Sequence, residues 1–355
     1  MVHDVFMQQE IILTNHIEKD LSDFLRKQSY DGLYVLTDIN TREYCYSKIQ
    51  GIPELELSPH FSIPSGDENK NLATLESVWK FLSDNGAGRK SILINLGGGM
   101  LTDLGGFAAA TFKRGIRFIN IPTTLLGAVD AAVGGKTGIN LNGLKNEIGS
   151  FAPAIAVLID SNFFHTLDPG NLLSGYAEIL KHGLLSSSKY LDELLRFNLE
   201  EINYSNLNEL VYKSIRVKEQ IVKEDPQEQG IRKALNLGHT FGHAFESLSH
   251  ELKKPIPHGY AVAWGLVCEL YLSLIKFNFD KNILLKVTRF VKENYGIHSF
   301  DCKHYPRLYE LILHDKKNEY ALVNFTLLRA IGEFEINQTA SQAEIDECLD
   351  FLREI

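Results

Sequence analysis

What most constrains this chain is a change of hydrophobic period near residue 169. Up to about residue 160, short β-type runs alternate with helical ones. "LYVLTD", "SILINLGGG", "RFINIPTT" and "AIAVLID" read as strands, and "NLATLESVWKFLSDNG" and "LTDLGGFAAATFKRG" as helices. Such alternation makes a mostly parallel sheet flanked by helices. After "TLDPGNLLSG", helical patterns follow one another: "GYAEILKHGLL", "YLDELLRFNLEEI", "LVYKSIRVKEQIVKE", "ALNLGHTFGHAFESL" and "GYAVAWGLVCELYLSLI". "ALVNFTLLR" and "IGEFEI" read as a small hairpin, and Ser341 with Glu344 as a capping box opening a last helix. The expected organisation is an α/β domain over 1–169 and a mainly α-helical domain over 170–355.

The formal charge of −9 argues against a general nucleic-acid binder, which needs a basic face. It leaves room for an anionic small substrate held by local Lys and Arg. "MVHDVFMQQE" has no basic region followed by an apolar core, so no secretory signal is expected and a cytoplasmic location is. "AVAWGLVCELYLSLI" contains Glu269 and is shorter than a membrane span requires, so no membrane role is expected. Cys45, Cys268, Cys302 and Cys348 form no CxxC pair and read as buried free thiols.

Ligands in parallel sheets collect at the carboxyl ends of strands, where Asp38, Gly97–Gly99 and Thr123–Thr124 fall. "LINLGGGMLTDLGG" puts three glycines after a strand, where a phosphate can approach the next helix without meeting a Cβ. The same glycines also suit a tight turn with no ligand. The spacing is not GxGxxG. "AAVGGKTGIN" ends like a nucleotide-hydrolysing P-loop, but Asp130 stands where that pattern needs Gly. Lys136, beside two glycines, still suits an anion.

His239 and His243, four apart in "NLGHTFGHAFE", share a helical face. His258 follows Pro257 at a helix start, and Glu178, Lys181 and His182 share one turn of another helix. A catalytic zinc needs three N/O ligands and an open position. Glu178, His182, His239, His243 and His258 compete for the places, and spacing alone leaves the choice open.

Six segments carry a family likeness. In order, "LGGGMLTDLGGFAAATFKRG", "IPTTLLGAVDAAVGGKTGINLNGLKNEIGSF", "SGYAEILKHG", "EQGIRKALNLGHTFGHAFE", "PHGYAVAWG" and "DKKN" resemble the 3-dehydroquinate synthases of the sugar-phosphate cyclase superfamily. The resemblance implies a Rossmann-like nucleotide-binding domain and a helical metal- and substrate-binding domain. It implies conversion of 3-deoxy-D-arabino-heptulosonate 7-phosphate to 3-dehydroquinate and phosphate. The route is transient oxidation by NAD, phosphate elimination, re-reduction and intramolecular aldol closure, in the shikimate pathway.

By the same resemblance, zinc, or cobalt in its place, is held by Glu178, His239 and His258, and His243 transfers protons. His182 is incidental. Asp38, Asp67, Lys70, Gly98, Gly99, Asp103, Thr123, Thr124, Lys145, Phe163 and Thr166 match cofactor contacts, and Lys136 borders the same site. Asp130, Lys136, Asn146, Lys181, Lys218, Arg232, Asn236 and Lys316 match substrate contacts. Glu228 matches a second proton acceptor. Arg114 matches an arginine that reaches a neighbouring subunit's substrate phosphate, which implies a homodimer.

The chain departs from the family pattern at Asp67, where glutamate is usual, and in "TLDPGNLLSG", which lacks an Arg-Glu pair. Its first sixty residues match poorly. Three rivals are another cyclase such as 2-deoxy-scyllo-inosose synthase, a glycerol- or iron-dependent alcohol dehydrogenase, and an inactive NAD-binding scaffold. Lys218, Arg232, Asn236 and His243 follow the dehydroquinate pattern.

Overall fold

The computed structural model describes residues 9–142, 144–296, 300–313 and 323–354. Lys316, with the rest of "DKKN", lies outside them. The chain divides into two compact units, Met1–Asp168 and Pro169–Ile355.

In the first unit the elements are β1 (Glu10–Thr14), α1 (Ile17–Arg26), β2 (Leu33–Asp38), α2 (Ile39–Tyr44), β3 (His60–Ile63) and α3 (Leu72–Asp84). There follow β4 (Ile92–Gly97), α4 (Gly99–Thr111), β5 (Arg117–Pro122), β6 (Lys136–Leu141), β7 (Leu144–Phe151) and β8 (Ala156–Asp160). Six strands form a wholly parallel sheet in the order β1-β8-β5-β4-β2-β3. A parallel sheet covered on both faces demands unbroken apolar strands. β2, β4 and β8 are accordingly buried at every position. The sheet's two edges, β1 and β3, have no counterpart among the expected strands. β3 is only "HFSI", too short and too polar to stand out.

The antiparallel pair β6–β7 was also unexpected. Its glycines explain why it was hidden. A Cβ on Gly138 would stand 2.6 Å from the Ile148 carbonyl, and one on Gly149 2.2 Å from that of Thr137. Those glycines let two strands approach. Gly134 and Gly135, at φ 106° and 70°, turn the chain into β6. The P-loop-like "GGKT" thus opens a hairpin, whereas a P-loop precedes a helix.

The second unit contains α5 (Pro169–Leu184), α6 (Ser188–Leu195), α7 (Tyr204–Glu224), α8 (His239–Glu251), α9 (His258–Phe277) and α10 (Lys281–Tyr295). It ends with α11 (Tyr305–Leu313), β9 (Phe325–Ala330), β10 (Glu333–Gln338) and α12 (Gln342–Glu354). β9 and β10 form the small antiparallel hairpin. Ser341 and Glu344 cap α12 reciprocally, with Ser341 N donating to Glu344 Oε2 at 2.7 Å and Glu344 N to Ser341 Oγ at 3.3 Å.

α9 is the core helix, packed by α5, α8, α10, α12 and β9. It is 20 residues long and, against the expectation from its apolar run, long and apolar enough to cross a membrane by length and composition. Its most apolar 18-residue window is 67% buried inside the protein, and its Glu269 accepts hydrogen bonds from Gly238 N at 2.6 Å and Thr240 N at 3.1 Å. Those bonds satisfy the amino end of α8. The cysteines are all free. Cys45, Cys268 and Cys348 are buried as expected, but Cys302 is exposed. Burial pushes the Cys45 thiol up to about 11.

Glycines set the spacing of α5, α8 and α9. A Cβ on Gly265 would stand 2.0 Å from the Gly238 carbonyl, and one on Gly259 2.1 Å from that of Ser174. Gly265→Ala should therefore destabilise the protein, although alanine is the better helix former by about 1 kcal/mol. Overpacking typically costs about 1–3 kcal/mol, and here it meets backbone that cannot rotate away. Urea unfolding measures the outcome, and an unchanged or raised midpoint would show that the helices separate freely.

Candidate functional site

Three side chains of the second unit converge. Glu178 is on α5, His239 is the first residue of α8, and His258 the first of α9. The long helical run expected around "ALNLGHTFGHAFESL" is broken, because Gly238 is left-handed at φ 81° and starts α8 afresh at His239. Gly259 N donates to Ser174 Oγ at 2.9 Å, tying the start of α9 to α5.

Glu178 Oε1 stands 3.4 Å from His239 Nε2 and 3.7 Å from His258 Nε2. Two ligands about 2.1 Å from a zinc ion at the tetrahedral angle stand about 3.4 Å apart. Among the described residues these three alone form a group whose ligand atoms lie within 4.8 Å of one another. Glu178 is 0% exposed, and its Oε1 has no hydrogen-bond partner. A buried carboxylate oxygen between two imidazole nitrogens fits a cation.

Both rings are held from behind. His239 Nδ1 donates to the Leu237 carbonyl at 3.1 Å, and His258 Nδ1 to Glu246 Oε2 at 3.1 Å. Each bond leaves Nε2 to face Glu178, the arrangement usual for metal-binding histidines. Lys181 Nζ, expected at the substrate, bonds the other Glu178 oxygen, Oε2. His182 faces elsewhere, its Nδ1 2.7 Å from Ser214 Oγ. His243 stands beside the group without joining it, its ring 5.4 Å from that of His239 and 6.0 Å from that of His258.

Electrostatics point the same way. Burial works against charge on Glu178, yet Lys181 and His239 hold its carboxyl well below the ordinary value. Burial also opposes charge on His258, but Glu178 and Glu246 outweigh it and raise the imidazole to about 10. The two carboxylates favour a positive charge at that point.

Elsewhere in the second unit, Asn236 Nδ2 donates to Glu228 Oε1 at 3.0 Å, joining two of the expected site residues. Glu228 is left-handed, at φ 58°. Asp225 organises its loop by accepting from Gln229, Gly230 and Arg232 backbone N–H groups. Lys218 and Arg232 are buried.

In the first unit, the parallel strands β2, β4, β5 and β8 carry Asp38, Gly97, Thr123 and Asp160 at or just past their carboxyl ends. Thr123 N donates to the Gly97 carbonyl at 3.0 Å. Gly98 caps α4, and a Cβ on Gly127 would stand 3.2 Å from Gly99 N. A side chain at Gly127 would crowd the amino end of α4, whose N–H groups suit a dinucleotide diphosphate. Lys70 Nζ bonds Asp103 at 2.6 Å and also Asn146 Oδ1. Lys145 Nζ lies 3.5 Å from Asp67.

Other expected residues have structural roles or open positions. Asp38 Oδ1 accepts from Thr41 N at 2.9 Å, capping α2. Phe163 is buried, with Lys48 Nζ 5.1 Å from its ring centroid, and Thr166 is exposed. Asp130 is half-buried in the short π-helix Gly127–Ala131 and Lys136 exposed at the start of β6. Arg114 is exposed in a turn where Lys113 and Arg114 take φ 50° and 68°, costly for non-glycine residues.

Sequence reading missed Glu246 and passed over Glu269 as a hydrogen-bonding group. Glu246 lies seven residues after His239, a helical spacing that could have flagged it. Because His258 holds a proton until about pH 10 in the metal-free site, binding a divalent cation near pH 8 should release about one proton. Calorimetry in buffers of different ionisation enthalpy counts it, and binding without proton release would contradict this charge balance.

Comparison with known proteins identifies the family. The family model "3-dehydroquinate synthase N-terminal" matches residues 60–174, and "3-dehydroquinate synthase C-terminal" residues 175–318. A 3-dehydroquinate synthase from Parabacteroides distasonis is 54% identical over 347 residues, covering 98% of each chain. Two solved structures share the fold. One is 2-epi-5-epi-valiolone synthase from Streptomyces hygroscopicus with NAD+ and Zn2+ bound (TM-score 0.85, 23% identity, 98% of this chain and 97% of that one). The other is 2-deoxy-scyllo-inosose synthase with carbaglucose-6-phosphate, NAD+ and Co2+ (TM-score 0.84, 21% identity, 97% and 96%). With both family models and a relative matched over nearly its full length, this chain belongs to the 3-dehydroquinate synthase family.

Proposed function

We propose that the chain is a 3-dehydroquinate synthase, forming 3-dehydroquinate and phosphate from 3-deoxy-D-arabino-heptulosonate 7-phosphate. The observation that carries this reading is the Glu178, His239 and His258 group in a chain so similar to an enzyme of that name. When bound, NAD supplies a reversible hydride acceptor and zinc, or cobalt in its place, a Lewis acid at the substrate oxygen. The glycine-rich amino end of α4 and the Lys70–Asp103 pair support the cofactor assignment.

Glu178, His239 and His258 hold the ion. His243, one turn along α8 and on the same face, would move protons on a substrate held beside Glu178, His239 and His258. Glu228, bonded to Asn236, is the second proton acceptor. The remaining Lys, Arg, Asn and Asp set positions the substrate, Arg being suited to paired bonds with phosphate or carboxylate. Holding the substrate in place should supply much of the rate. The reading extends to a cytoplasmic homodimer with neither nucleic-acid nor membrane partner, in which exposed Arg114 reaches the neighbouring subunit's substrate phosphate.

The test is phosphate release from the heptulosonate phosphate, abolished by a chelator, restored by zinc, and without net NADH. Accumulating NADH would favour an alcohol dehydrogenase, and no turnover in zinc-loaded protein a scaffold. His243→Ala should keep its zinc while turnover falls about 10²–10⁴-fold. Loss of metal and activity together in a folded variant would make His243 a ligand. For the dimer, isolated heterodimers of Arg114→Ala and His243→Ala chains should regain activity at one intact site. Activity no higher than the sum of the two parents would reject a cross-subunit arginine.

A further inference from the structure

We infer that Glu246 is a positioning residue that aims His258 at the metal and tightens the hold on the ion. The inference rests on the metal reading above and deepens it.

Glu246 is buried on α8, two helical turns after His239. Its Oε2 accepts from His258 Nδ1 at 3.1 Å, while His258 Nε2 lies 3.7 Å from Glu178 Oε1. Bound at one nitrogen, the ring presents the other, so Glu246 stands behind His258. It is not one of the mutually close ligand atoms.

The two histidines need different support. His239 has 10% of its side chain exposed and is fixed by the carbonyl of Leu237, two residues away. His258 is the more exposed, at 26%, and follows a loop in which Lys253 is left-handed at φ 56°. It takes its anchor from another helix.

The same turn of α8 also secures that loop. Ser249 Oγ donates to the Glu246 carbonyl at 2.6 Å and accepts from Ile256 N at 3.3 Å. Lys254 N donates to the Ser249 carbonyl at 2.9 Å. α8 therefore fixes both the approach to His258 and the angle of its ring. Charge adds to orientation. Lys181 is paired with Glu178, so Glu246 places a further negative charge behind the imidazole that faces the ion. A carboxylate there makes the imidazole a stronger donor.

Glu246→Gln, nearly the same size, and Glu246→Asp, one methylene shorter, separate charge from reach. Zinc affinity is measured by competition with a chromophoric chelator, alongside melting of the metal-free proteins. We expect one zinc per chain at saturation and affinity weakened about 10- to 100-fold in both variants, with metal-free melting close to the parent's. Affinity within about twofold of the parent in both folded variants would overturn the inference. So would a folded Glu246→Gln that binds no zinc at any concentration, since Glu246 would then be a ligand. A parent that binds no zinc would sink the metal reading itself, a result separable from any difference among variants.

Discussion

A carboxylate with no exposed surface is costly unless positive charge surrounds it. Glu178 is in that position, and its surroundings follow from the cost. Lys181 occupies one oxygen, while the other faces two imidazole nitrogens at distances that suit an intervening ion. Each imidazole is in turn fixed through its far nitrogen. Glu178 and Glu246, against the cost of burial, favour the protonated form of His258 where no cation supplies the charge.

The site requires three helices to approach more closely than ordinary side chains allow. Gly259 against Ser174 and Gly265 against Gly238 provide that approach. Glu269 then holds the amino end of α8 on either side of His239. A buried acid in an apolar core helix therefore sets where the first histidine begins. Gly238, left-handed and close to Leu266, completes the same turn.

The central strands and most helices were legible because burial on both faces leaves continuous apolar runs, and amphipathic helices keep their period. The edge strands were not, since β3 has four residues, two of them polar. The β6–β7 hairpin was hidden because its glycines resemble a phosphate loop, although they serve strand contact. The helix α9 was legible almost whole, as 259–275, because one acid does not break its apolar run, and only His258, Lys276 and Phe277 fell outside that reading. At the metal site, spacing narrowed the field to five residues. Choosing among them needed the family likeness or the folded geometry, because only packing sends His182 to Ser214 and His258 to Glu178. Glu246 was passed over although its spacing from His239 offered a signal, since the ring it anchors comes from a different helix.

The most direct measurement is anomalous diffraction at the zinc edge from crystals of the zinc-loaded protein. The expected result is one peak per chain with Glu178 Oε1, His239 Nε2 and His258 Nε2 each about 2.0–2.2 Å away, and His243 beyond coordination distance. A peak ligated by His243 or His182 in place of any of the three, or lying away from Glu178, would contradict the assignment.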